Sequence, residues 1–507
     1  MTPDPLADDV IDRGEHALAR LSAMREADPP TTGGRVLSYV YDSGLAGLDD
    51  LALRAARLAH GVNGLDPTVF ASVAGIHGGI VDRVRGILRG GDGVYGSVTS
   101  GGTESCVLAC LAAREVRGRT AGDGGRIVAP VTVHAAFRKA AHLLGLEFVG
   151  VEVDPDTGRV RAEELLAAVD SDTVLVVCSA PSYPTGVVDP VAEVAEGLDS
   201  RHDRQIGLHV DACLGGLVLP FWPDAQAVEP WDFRVDRVTS ISADLHKYGF
   251  APKGTSVLLS RGRARHRAAW FATIDWPGYP VVNPTLAGSK PLEPAAAAWA
   301  VSEALGDDGQ RELVARTARA TDSLVECLSG IEGLCVLERD PGPLIAVAAD
   351  RDVPDGRRIH PHLWADACAR RGIAVQSQPA FSQVRGTLSS SAHLTVTPVT
   401  VRLVDEIVRV ATDAADEVRG RPAPTPPPGF IDVIGALESG ALSPGDIAAL
   451  DEDEVHALVA GVLGDGDGDP GGEGRDQSMA QLMAAIERLP EDVGARLVRA
   501  YLAAVME

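Results

Sequence analysis

Between about residue 92 and residue 305 the chain alternates short apolar runs with helical stretches, and this narrows its folds more than any other feature. The runs RIVAPVTVH (126–134), LEFVGVEV (146–153), TVLVVCSA (173–180), QIGLHVDA (205–212), VTSISAD (238–244) and TSVLLS (255–260) read as strands. Helical patterns near 103–118, 136–144, 161–169 and 190–201 separate them. Such alternation predicts an α/β fold, a mostly parallel sheet covered by helices on both faces. Ligands of these sheets gather beyond the carboxyl ends of the strands. His134, Ser179, Asp211 and Asp244 fall at those ends.

The flanks read differently. Residues 5–28 carry apolar residues at helical spacing until Pro29 and Pro30 stop them. Further helices are predicted over roughly 46–60 and 68–90. Residues 291–420 read as a long helix and a smaller α+β unit, with strands at 344–350, 372–378 and 393–399 and a closing helix over 401–419. RPAPTPPPG (421–429) is a linker, and helical patches follow near 430–464 and 478–505. The expected division is an N-terminal helical segment (1–60), a large domain (61–305), a small C-terminal domain (306–420) and a linker with helical tail (421–507).

Charge and cysteines bound the partners. Lys plus Arg number 46 and Asp plus Glu 71, a net charge of −25. That balance disfavours non-specific binding to nucleic acid or anionic membranes. The seven cysteines form no CxxC pair and read as reduced core thiols. MTPDPLADDV lacks the basic start and apolar run of a secretory signal, and no apolar run is long enough to span a bilayer. A cytoplasmic protein without a nucleic-acid or membrane partner is expected. In GDGDGDPGGEGRD, Asp465, Asp467 and Asp469 have the spacing of a calcium loop. Pro470 stands where the loop requires glycine, so the stretch reads as a flexible acidic linker and no metal is expected.

Four features carry chemistry. In TSISADLHKYGFAPKG, Lys247 follows His246. A lysine amine can condense with an aldehyde, which is how enzymes hold pyridoxal 5'-phosphate (PLP), although a lone lysine after histidine is more often solvated. In SVTSGGTESCVLACLAARE, Gly101 and Gly102 let a ligand approach the backbone, and a helix starting near Thr103 aims free N–H groups at it. That suits a phosphate, or Thr103 and Glu104 simply cap the helix. His134 could stack on an aromatic cofactor or be a hydrogen-bonded core histidine. Asp211, at a strand end in HVDACLGG, could hold a protonated pyridine nitrogen or cap the next turn.

Taken in order, SGGTES, VHAAFRKAA, HVDACLGG, SISADLHKYGFAPKG and TLAGSKP resemble sphingosine-1-phosphate lyase and, more broadly, the group II PLP-dependent decarboxylases. The likeness covers about residues 33–420. It implies the PLP-dependent transferase fold type I: a large domain with a mostly parallel seven-stranded sheet, a smaller C-terminal α+β domain and a helical tail. It implies PLP as cofactor, with Lys247 carrying the Schiff base, Asp211 on the pyridine nitrogen, and Ala212 and His134 on the two ring faces. Gly102, Thr103 and His246 would hold the cofactor phosphate. Gly288 and Ser289 would reach the phosphate of a neighbouring subunit's cofactor, so a homodimer with sites at the interface is implied. Lys253 and Tyr41 match residues that bind a substrate phosphate.

Two positions depart from the family. NGLDP places Asp66 where the lyase has a phosphate-binding histidine, and GSK places Lys290 where the family has arginine. A carboxylate would repel a phosphate, so Asp66 points to an amine or hydroxyl on the substrate or turns away. The expected activity is carbon–carbon cleavage of a β-hydroxy amine to an aldehyde and an amine. L-amino-acid decarboxylation is the alternative, and a non-catalytic PLP-fold binding protein a remote one. The family's membrane anchor is not expected here.

Overall fold

The structure is a computed structural model that describes residues 5–120, 122–201, 203–223, 225–463 and 479–506. The acidic stretch read as a linker, 464–476, lies outside the described residues.

Seven strands build the main sheet: β1 (Val94–Thr99), β2 (Arg126–Pro130), β3 (Glu147–Val151), β4 (Thr173–Ser179), β5 (Gly207–Asp211), β6 (Ser240–Asp244) and β7 (Ser256–Arg261). Their order is β1-β7-β6-β5-β4-β2-β3. The neighbours from β3 to β6 pair parallel, while β7 runs antiparallel to both β6 and β1. Every residue of β4, β5 and β6 is buried. Helices therefore cover both faces there, and the sequence shows unbroken apolar runs rather than alternation.

Strand β1 was not expected, because VYGSVT reads as a small-residue approach to the next helix. Packing explains its composition. A Cβ at Gly96 would meet a Leu259 methyl at 2.7 Å and a Val81 methyl at 3.0 Å, so β7 and the helix Ala71–Ile87 leave room only for glycine.

Beyond the sheet come a two-stranded hairpin, β8 (Phe271–Thr273) with β9 (Val281–Asn283), and the helix Glu293–Ser329. That helix is interrupted at Gly306, whose φ of 53° and ψ of −167° are non-helical. A second sheet, all antiparallel, has the order β10-β11-β15-β12 and uses β10 (Leu334–Val336), β11 (Leu344–Ala349), β12 (Gln376–Gln378) and β15 (Ser391–Thr395). A small hairpin, β13 (Phe381–Gln383) with β14 (Gly386–Leu388), lies between the last two. The helices Pro361–Arg370 and Val404–Val418 pack on this sheet. Its core, with Leu324, Ile345, Trp364, Leu394 and Ala414, is separate from that of the main sheet.

The chain divides into two compact units, residues 37–423 and residues 1–36 together with 424–507. The boundaries expected at 60/61 and 305/306 fall inside the first unit, and the helix Glu293–Ser329 runs through the second of them. In the other unit the two expected tail patches form five helices, Pro428–Glu438, Pro444–Ala449, Glu452–Leu463, Met479–Ile486 and Glu491–Met506. A reciprocal cap makes one of the breaks: Ser443 Oγ accepts from the Asp446 N–H at 3.2 Å, and the Asp446 carboxylate accepts from the Ser443 N–H at 2.8 Å. Phe430, Ile434, Ile447, Val455 and Leu497 form the core of these helices. No described helix is long and apolar enough to cross a membrane.

Candidate active site

Register places the chemistry. In β4, β5 and β6, Ser179, Asp211 and Ser242 stand abreast, and the next step along β6 brings Asp244 opposite Ser256 on β7. Asp211 Oδ1 accepts from the Cys213 N–H at 3.1 Å and from Ser242 Oγ at 3.3 Å. Burial pushes its carboxyl up, but His134 and Lys247 outweigh that and leave it below the usual value, so it stays ionised. Asp244 accepts from Ser256 Oγ at 2.5 Å and from Lys247 Nζ at 2.9 Å. Burial would strip the proton from Lys247. The facing Asp244, followed by Cys213 and Tyr41, instead holds the ammonium well above its ordinary value.

The helix Gly102–Val116 begins directly above these strand ends with no side-chain cap on its first N–H groups. Those groups, and the positive end of a fifteen-residue helix, are left for a ligand. Glu104 secures the approach: its carboxylate accepts from the Ser100 N–H at 2.6 Å and from the Leu286 N–H at 2.7 Å. His246 faces the same turn. Its Nδ1–H donates to the Thr255 carbonyl at 2.9 Å, and burial lowers its pKa, keeping the ring neutral.

Together these groups surround a cavity of about 610 Å³. Of the residues expected at the site, Tyr41, Gly102, Thr103, His134, Asp211, His246, Lys247 and Lys253 line it. His134 is exposed to the cavity rather than buried in a core, and its Nδ1 accepts from the Ala136 N–H at 3.2 Å. The ring orientation is thereby fixed, with a face left open. Tyr41 packs edge-on against Tyr248, and burial first, opposed by Lys247, raises its phenol to about 12. Lys253 Nζ donates to the Tyr39 carbonyl at 3.0 Å and lies 5.5 Å from the Tyr41 ring centroid. Among the described residues it forms no ion pair with a carboxylate, and burial, then Lys247, lowers its pKa.

Four expected residues lie elsewhere. Ala212 is wholly buried behind the strand end and does not line the cavity. Asp66 does not line it either, because its Oδ1 accepts from the Thr68 N–H at 3.1 Å, Thr68 Oγ1 at 2.6 Å and the Val69 N–H at 3.2 Å. These bonds hold it ionised and make it the cap of a turn. Gly288 and Ser289 are exposed, away from the cavity of their own chain. The loop carrying them is joined to the NGLDP turn: the Gly64 N–H donates to the Lys290 carbonyl at 2.8 Å, and Lys290 Nζ donates to the Val98 carbonyl at 2.9 Å.

Sequence reasoning gave no role to Asp244, Cys213, Tyr183 or Gln376, all of which line the cavity. Asp244 was visible as a strand-end acid three positions before Lys247. Gln376 carried no signal, since it arrives from the small sheet.

Residues 80–271 match the pyridoxal-dependent decarboxylase conserved domain. The sphingosine-1-phosphate lyase of Dictyostelium discoideum is 39% identical over 290 residues, 57% of this chain and 54% of that one. The lyase of Saccharomyces cerevisiae is 30% identical over 456 residues, 86% of this chain and 72% of that one. The solved sphingosine-1-phosphate lyase of Burkholderia pseudomallei superposes with a TM-score of 0.72 at 30% identity, covering 80% of this chain and 91% of that one. The chain belongs to the sphingosine-1-phosphate lyase family of pyridoxal-dependent enzymes. It spans about half the length of the Dictyostelium lyase.

The cofactor of this family, PLP, fits the residues present. A Cβ at Gly102 would meet Asp244 Oδ2 and Cys213 Sγ, both at 2.8 Å, so only glycine keeps the cradle open. An uncapped helix start for a phosphate, a buried ionised carboxylate for a ring nitrogen and a lysine for the aldehyde all face one space. Lys247 would hold the aldehyde carbon, Asp211 the ring nitrogen, His134 a ring face, and Gly102, Thr103 and His246 the phosphate.

Proposed function

We propose that the chain is a PLP-dependent carbon–carbon lyase acting on a β-hydroxy amine. The bond between the amine-bearing and the hydroxyl-bearing carbon breaks. The hydroxyl carbon leaves as an aldehyde, and the amine-bearing carbon takes a proton in its place. When bound, PLP supplies an electron sink for the bond broken at the amine-bearing carbon. The protein's own groups do the rest. Asp244 Oδ2 holds the Lys247 ammonium and is placed to take its proton when the amine must act as a nucleophile. Asp211, ionised, would keep a ring nitrogen protonated. His134 would fix the ring plane.

The observation that carries the reading is Lys253. It stands at the mouth of the cavity whose floor holds Lys247 and Asp211, and among the described residues its charge meets a backbone carbonyl and the Tyr41 ring but no carboxylate. A cation in that position suits the phosphate of a phosphorylated amino alcohol. The test is to incubate the PLP-loaded protein with a phosphorylated long-chain amino alcohol and, separately, with a panel of amino acids. Aldehyde from the first is expected. Carbon dioxide from an amino acid, without aldehyde from the amino alcohol, would make it a decarboxylase. A protein that takes up no added PLP would be neither.

We also propose a homodimer. The β8–β9 hairpin exposes Phe271, Ile274, Trp276, Tyr279 and Val282, and Gly288 and Ser289 follow it. Such an apolar arm suits a second copy of the chain, with the glycine and serine completing the partner's phosphate site. Light scattering of the loaded protein should give twice the chain mass, and a monomer that still binds PLP would exclude the arrangement. Its seven unpaired cysteines support a cytoplasmic location, which cell fractionation would check.

A further inference from the structure

One wall of the cavity carries no charge. Tyr183, in the turn after β4, and Gln376, on β12, both line it. The Tyr183 hydroxyl donates to Gln376 Oε1 at 2.6 Å. Oε1 is occupied, and the Nε2 amino group has no hydrogen-bond partner among the described residues. The arrangement is braced from behind. His393 stands directly opposite Gln376 in the β12–β15 pairing, and its ring lies 4.3 Å from that of Tyr183 at 33°. His393 Nε2 is 3.0 Å from Thr395 Oγ1, and the Thr395 side chain is also within hydrogen-bonding reach of Tyr183.

These residues are neutral. Burial lowers His393 to about 3 and raises the Tyr183 phenol above its ordinary value. The charged groups bordering the space are Lys247 with Asp244, Asp211, Glu104 and Lys253, and among the described residues none of them makes a hydrogen bond to the Tyr183–Gln376 pair. The wall therefore offers an uncharged N–H donor beside a phenol oxygen that retains a lone pair. A carboxylate accepts only and is better held by a cation. A methylene satisfies neither group. A hydroxyl can accept from the amide and donate to the phenol at once.

We propose that Gln376, oriented by Tyr183, reads a hydroxyl group on the substrate and selects amines that carry one over their deoxy counterparts. The hydroxyl lies on the carbon next to the amine-bearing carbon; this assignment rests on the lyase reading above. A site built to bond a hydroxyl rejects the analogue lacking it, because its own buried polar groups then lose their partner.

The test compares a β-hydroxy amine with its deoxy analogue on the PLP-loaded protein. Dissociation constants are taken from the change in cofactor absorbance on mixing, before turnover. Wild type should bind the hydroxylated amine ~10-fold more tightly. Gln376→Met should bring the ratio near one, by weakening the hydroxylated amine and leaving the deoxy amine unchanged. Gln376→Glu keeps an acceptor for Tyr183 while removing the donor, and should lose the preference too. A wild-type ratio near one, or variants that retain the wild-type ratio, would overturn the proposal. If wild type releases no aldehyde, the lyase reading falls, while the ratio of the two dissociation constants still decides the hydroxyl subsite.

Discussion

The floor of the cavity and its rim are built on different terms. The floor, Asp211, Asp244 and Lys247, sits at the ends of neighbouring strands, and each charge there has a named partner within the same chain. The loops around it carry Lys253, which lines the cavity, and Asp66, Gly288 and Ser289, which do not. Lys253 meets a carbonyl and the Tyr41 ring, Asp66 serves its own turn, and the glycine and serine face away from their own cavity. Strand register sets the position of a floor residue to within one side chain. Loop residues have no such constraint, so a rim can change its substrate while the floor keeps its chemistry. The departures from the family fit this contrast, since Asp66 and Lys290 both lie in loops outside the cavity lining.

Mutations can break the contrast or sharpen it. Lys247→Ala should have the largest effect, lowering aldehyde release by on the order of 10⁴-fold or more and abolishing the cofactor's visible absorbance band. Asp211→Asn should cost ~10²- to 10³-fold in kcat at a similar KM, because it removes the charge that would face the ring nitrogen; steady-state kinetics at saturating PLP would show it. A further buried aspartate separates burial from pairing. Asp189 accepts from the Ser179 N–H at 2.6 Å, and burial raises its carboxyl to about 7 from 3.8. A carboxyl raised on folding stabilises the protein below its unfolded value, and that contribution is lost as pH climbs to the folded value. Wild type should therefore lose stability between pH 4 and 7, on the order of 4 kcal/mol. Asp189→Asn should not, as thermal melts across that range would reveal.

The rim should respond more mildly. Lys253→Ala should raise KM for a phosphorylated amine by ~10-fold, leaving kcat and the KM of an unphosphorylated amine nearly unchanged. An equal loss in kcat would place Lys253 with the floor. Asp66→Ala should remove a turn cap and slightly lower stability without changing kcat, measured by denaturant titration beside kinetics. A large change in KM for phosphorylated amines would return Asp66 to the substrate site.

Much of this was legible in advance, and the limits are physical. The six apolar runs lie in the strands found, and the helix expected at 136–144 spans Ala136–Leu144. Strand β1 escaped notice because its glycine and serines answer to the helix and strand packed on it, a requirement the local pattern does not carry. Of the residues resembling the family's cofactor site, Gly102, Thr103, His134, Asp211, His246 and Lys247 converged on one cavity, while Ala212 lies behind it and Gly288 and Ser289 face away from it. Asp66 looked like a pocket residue by position, but bonds to Thr68 and Val69 bind it locally.

By itself the chain's sequence determined its α/β character, the order of the main-sheet strands from β2 to β7 and the choice of Lys247 as candidate, since each is written in residues that are neighbours or recur at a fixed period. Tertiary structure alone decided the antiparallel place of β1, the pairing of Lys247 with Asp244, and the meeting of Tyr183 with Gln376, 193 residues apart. Those contacts depend on strand register and on a second sheet closing over the first. Neither is a property of any stretch of sequence taken alone, because the energy that selects them comes from surfaces that meet only after the chain has folded.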